Sequence, residues 1–83
     1  MELTVNVRMN NVPTARQAAK VAGEMSAYRS KVLLRKGDTT VNAKSLLGIL
    51  SLQLQDGAGV TIIASGEDEA QAVCAMSDLL QGK

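Results

Sequence analysis

The chain lacks histidine, phenylalanine and tryptophan altogether, and it holds one tyrosine, one proline and one cysteine. Each absence excludes something. Without histidine there is no imidazole to act as a base near neutral pH or bind a metal. One aromatic ring gives no platform on which bases could stack. A lone cysteine cannot close an internal disulfide and fits a reducing, cytoplasmic setting. No apolar run approaches the ~20 residues of a membrane span, and the first residues lack a signal-peptide pattern. The net charge is +1, so no whole-chain field points to nucleic acid or anionic lipid.

What remains is a chain of 83 residues, 46% hydrophobic, which fits one globular domain with a core of Val, Leu, Ile, Ala and Met. Leu3, Val5, Val7 and Met9 alternate with Thr4, Asn6 and Arg8, the period of a half-buried strand. Asn10-Asn11-Val12-Pro13 breaks it, with Thr14 as the N-cap of a helix from Arg16 to about Tyr28. Ala18, Val21, Ala22 and Met25 form its apolar stripe, and Gly23 could mark close packing on a sheet. Lys31–Lys36 and Thr39–Asn42 read as a hairpin around Gly37-Asp38. A fourth strand alternates through Val60, Ile62 and Ala64. Ser65-Gly66-Glu67-Asp68-Glu69 opens a last helix, which carries Ala70, Val73, Met76, Ser77 and Leu80 at helical spacing. Its carboxylates suit the positive end of the helix dipole. The expected order is β-α-β-β-α-β-α, an α+β domain with an antiparallel sheet and helices on one face.

The rest of the chain is organised around Val41–Leu52, VNAKSLLGILSL. Ser45 stands where an N-cap belongs, since its oxygen can accept the unpaired amides of a first helical turn. Leu46, Leu47, Ile49, Leu50 and Leu52 follow, and the helix is expected to end near Leu54. So short a helix buries only one stripe, which leaves some of these side chains facing water. A serine beside an exposed apolar patch is a docking surface that a phosphate could switch. The same pattern also fits an ordinary capped core helix. Arg16 and Lys20 on the first helix and Lys44 before Ser45 would form a positive cluster, or simply a solvated surface. Cys74, between Val73 and Met76, reads as a partly buried, inert thiol. No metal-ligand set, cofactor motif or catalytic constellation is present, so no enzyme is expected.

These residues resemble the HPr family, the histidine-containing phosphocarriers of the bacterial phosphotransferase system. VNAKSLLGILSL followed by VTIIASGEDEAQAV is similar to that family's regulatory-serine helix, fourth strand and acidic opening of the last helix. The resemblance implies an open-faced β-sandwich, a four-stranded antiparallel sheet with three helices on one face, as one domain over residues 1–83. By element order alone a ferredoxin-like domain would fit equally. The family's active site carries a glycine, a leucine or isoleucine, the phosphorylated histidine, an alanine or threonine, then arginine, proline and alanine. Here the matching run is Asn11-Val12-Pro13-Thr14-Ala15-Arg16-Gln17-Ala18-Ala19. Thr14 takes the histidine position and Gln17 the proline position, while Arg16 is kept. A threonine ester would be too stable for a relay. Resemblance to the catabolite-repression branch, which lacks the histidine, implies a regulator controlled by phosphorylation of Ser45. It also implies protein partners: an HPr kinase/phosphorylase, a catabolite control transcription factor and possibly enzyme I. These would meet Arg16, Lys20, Lys44, Leu46, Leu47 and Leu50. The alternative is an HPr-fold binding module with no phosphorylation.

Overall fold

The computed structural model describes residues 1–8, 15–52 and 57–81, with residues 15–17 described by their backbone alone. The elements are β1 (Glu2–Asn6), α1 (Ala15–Met25), β2 (Lys31–Lys36), β3 (Thr39–Asn42), α2 (Leu46–Ser51), β4 (Gly59–Ser65) and α3 (Glu69–Leu80). The strands form one antiparallel sheet in the order β1-β4-β2-β3. This is the open-faced α+β sandwich expected from the sequence.

Register explains which side chains meet the helices. Val5 lies opposite Val60, Leu34 opposite both Ile62 and Val41, and Val32 opposite Ala64. Val5, Val60, Leu34, Ile62, Val32 and Ala64 are buried beneath the helices. The other face carries Glu2, Ile63, Leu33 and Asn42 in one row and Thr4, Thr61, Arg35 and Thr40 in the next. The helices close the core with Ala18, Val21, Ala22 and Met25 from α1, Ile49 from α2, and Ala72, Val73, Met76 and Leu80 from α3. Met25 and Met76, fully buried, take the space that aromatic rings would fill elsewhere.

Four expectations need correction. α1 ends at Met25, where its apolar stripe ends. Ala27 and Tyr28 then donate to the carbonyls of Glu24 and Met25 in tightened turns. Gly23 does not pack on the sheet. It lies on the solvent side, with open space where a Cβ would be. The helical glycine that packs closely is Gly48, where a Cβ would meet Val41 Cβ at 3.2 Å and the Asn42 carbonyl at 3.4 Å. Leu3 shares the parity of core-facing Val5 but sits on the edge strand and is exposed. Cys74 is exposed too, because one residue along a helix turns the side chain ~100° away from buried Val73. Met9 and the expected end of α2 at Leu54 lie outside the described residues.

Candidate functional site

The turn from β3 into α2 is built by Asn42. Its side-chain Oδ1 accepts from the Lys44 amide at 2.8 Å, and its carbonyl accepts from the Ser45 amide at 3.0 Å. Such an Asx turn reverses the chain without a glycine. Ala43 is buried at the corner, its amide donating to the Val32 carbonyl. Ser45 then has extended backbone, φ −102° and ψ 118°, and its Oγ accepts from the Gly48 amide at 3.2 Å. It is the N-cap that the sequence predicts. At the far end of α2, Lys36 Nζ from the hairpin donates to the Leu52 carbonyl at 3.1 Å. A cation there complements the negative end of the helix, which carries no basic residue in its own last turn.

The helix divides its apolar residues as its shortness requires. Ile49 and Leu52 are buried, while Leu46, Leu47 and Leu50 are 38%, 78% and 36% exposed. The three leucines form an apolar patch one turn from a half-buried serine. α1 packs beside α2 and carries Lys20, which is exposed. The backbone of Arg16 opens α1, and Thr14 lies outside the described residues. Among the described residues no hydrogen bond or ion pair joins Lys20 to Ser45.

Lys44 does not turn toward the Ser45 hydroxyl. Its Nζ donates at 2.8 Å to the Tyr28 carbonyl, in the loop between α1 and β2. That loop is gripped again from its other side. The Arg29 and Ser30 amides donate to Asp68 Oδ2 and Oδ1, each at 2.9 Å, and the Ser30 hydroxyl donates to Oδ1 as well. The Ser30 hydroxyl, followed by the Arg29 amide, holds the Asp68 carboxyl down at about 2. Asp68 thus does more than serve a helix dipole. It occupies the N-cap position of α3, yet its side chain makes no cap bond and secures a distant loop instead. Gly66 completes the seam at φ +149°, where a Cβ would fall 2.6 Å from Ser30 Oγ and 2.7 Å from Ser30 Cα. Glu69 is held below the usual carboxylate range by the N-terminal ammonium of Met1, which donates to it from 2.9 Å.

Sequence reasoning missed the Tyr28 carbonyl, Gly48 and the role of Asp68. Only Asp68 carried a signal, an aspartate just before a helix, and that signal points to a cap. Among the described residues no cluster of three metal-ligating side chains occurs, and no helix is long and apolar enough to cross a membrane.

Residues 1–82 match the family described as the PTS HPr component phosphorylation site. The HPr-like protein Crh of Bacillus subtilis (strain 168) is 44% identical over 69 residues, 83% of this chain and 81% of that protein. The crystal structure of a phosphocarrier protein HPr from Bacillus anthracis superposes with a TM-score of 0.93 at 33% identity, covering 98% of this chain and 96% of that one. The solution structure of Crh, the Bacillus subtilis catabolite repression HPr, does so with a TM-score of 0.74 at 37% identity, covering 100% and 99%. The chain belongs to the HPr family of the phosphotransferase system, whose members are phosphocarrier or regulatory proteins and not enzymes.

Proposed function

We propose that this protein is a regulator of the HPr family that has given up phosphate relay through histidine and is controlled by phosphorylation of Ser45. One observation carries the reading: Ser45 caps α2 beside the exposed Leu46, Leu47 and Leu50, in a chain with no histidine. A phosphate on that oxygen adds roughly −1.5 to −2 charge at the rim of an apolar surface. Such a charge admits partners that bring cations and repels those that bring carboxylates. Thr14 takes the histidine position and forms no transferable phosphoramidate. The similarity to Crh supports carbon catabolite repression as the setting. The partners are then an HPr kinase/phosphorylase and a catabolite control transcription factor, with enzyme I as a third. The residues that would meet these partners are Leu46, Leu47 and Leu50, together with the basic Lys44, Lys20 and Arg16.

Intact mass after two separate incubations tests this. ATP with an HPr kinase/phosphorylase should add one phosphate, absent in Ser45→Ala, and phosphoenolpyruvate with enzyme I should add none. Phosphate gained from enzyme I would overturn the loss of relay.

A second reading, a constitutive HPr-fold binding module, is favoured by the bond from the Gly48 amide to Ser45 Oγ, which already gives this serine a structural task. No phosphate from either donor would select it.

A further inference from the structure

The loop between α1 and β2 is held at two points by two different elements. From α2's side, Lys44 reaches across to the Tyr28 carbonyl at 2.8 Å. From α3's side, Asp68 takes the amides of the next two residues, Arg29 and Ser30. Ser30 is fully buried, and Gly66 leaves it no room to move toward α3. Loop residues 28–30 therefore form a bridge between the start of α2 and the start of α3. Of the two holds, Asp68 is anchored by three hydrogen bonds. The Lys44 hold is a single bond from a flexible four-carbon stem to a neutral acceptor.

We propose that Lys44 is a charge-operated latch: its ammonium holds the Tyr28 carbonyl while residue 45 is neutral, and it releases the 28–30 loop when residue 45 becomes anionic. Residues 44 and 45 are chain neighbours, so an anion on the second lies well within the ~8 Å over which salt leaves charges unscreened. A charged oxygen outcompetes a neutral carbonyl for an ammonium, since charge-assisted hydrogen bonds are roughly twice as strong as neutral ones. The latch thus relays the state of residue 45 to the loop that follows α1 and, through Asp68, to the start of α3. The inference deepens the reading of Ser45 as the regulated residue and rests on it for its physiological trigger. Its chemistry needs only an anion at that position.

Amide hydrogen exchange at Arg29 and Ser30, followed by NMR at neutral pH, reads the latch. Ser45→Asp keeps an N-cap oxygen and supplies the charge, whereas Ser45→Ala supplies neither. Exchange of the two amides should quicken about fivefold in Ser45→Asp, the factor carried by one hydrogen bond of ordinary strength. It should stay at the parent rate in Ser45→Ala, with Ile62 in the sheet as the reference for global stability. Lys44→Met removes the donor and should produce the same acceleration, with no further change in the double variant. Parent rates in Ser45→Asp would overturn the proposal. So would an acceleration that persists undiminished on top of Lys44→Met, because the charge would then act by another route. The protein treated with kinase and ATP separates this proposal from the one it rests on. A chain that takes no phosphate, yet exchanges faster as Ser45→Asp, keeps the latch and loses the regulatory reading. A phosphorylated chain with unchanged exchange does the reverse.

Discussion

Ser45 contributes to the fold whether or not it is modified, and the two contributions separate by substitution. Its Oγ satisfies the Gly48 amide, one of the donors that no backbone carbonyl of a first turn can reach. Ser45→Ala should lower stability by ~1 kcal/mol, the ordinary worth of an N-cap, whereas Ser45→Asp should hold it. Urea unfolding checks this: the alanine variant shifts the midpoint at unchanged slope, because no more surface is exposed on unfolding. An alanine variant as stable as the parent would mean that the Asn42 turn alone fixes the start of α2. Exposure at this scale follows from neighbours that a residue's own type does not reveal. Leu3 and Cys74 carry apolar character to the surface, one by standing on an edge strand and the other by facing away from its helix stripe.

Two helical glycines show how an element's partner sets the value of a residue. Gly23 in α1 faces open space, so Gly23→Ala should stabilise by ~0.5–1 kcal/mol through helix propensity and a less free unfolded chain. Gly48 in α2 gains the same propensity, but its new Cβ would sit 3.2 Å from Val41 Cβ and 3.4 Å from the Asn42 carbonyl. Both neighbours belong to β3 and to the Asn42 turn, which fix them. Overpacking of about 1–3 kcal/mol then exceeds the gain, and Gly48→Ala should lower stability by ~1 kcal/mol. In a domain this small each kcal/mol moves the melting temperature by about 4–8 °C, enough for scanning calorimetry to resolve opposite signs. The elements themselves were legible because burial on one face stamps a period on the chain. Val32 and Leu34 alternate, and Ala18, Val21, Ala22 and Met25 recur by turns. Gly48 was not legible, since a glycine's reason for being lies in the element packed against it.

At the scale of the whole molecule, the contacts that join distant elements end on groups without sequence identity. Ser45 and its leucines could be read because they lie in one continuous stretch. Lys44 with Tyr28, and Asp68 with Arg29 and Ser30, join positions 16 to 39 residues apart, and in every bond but that of the Ser30 hydroxyl one partner is a backbone atom. Any residue offers such an atom, so no residue announces it. Asp68 nevertheless has a property that reports on the whole assembly, because its bonds exist for the carboxylate. Its folded value of about 2 lies below the usual 3.8, so the folded state favours the charged form. The stability this contributes is fully present above ~3.8 and is lost as pH falls through that value toward ~2. Asp68→Asn cannot titrate and offers the loop one oxygen in place of two. The gap in urea midpoint between parent and variant should therefore be widest at about pH 7 and should narrow steadily as pH falls below ~3.8 toward about 2.5. Glu69, whose carboxyl is also lowered, is present in both proteins and cancels from the difference. A gap of constant width across that range would mean that the carboxylate's charge contributes nothing. The seam between the 28–30 loop and α3 would then be held by shape alone, through Gly66 pressed against Ser30.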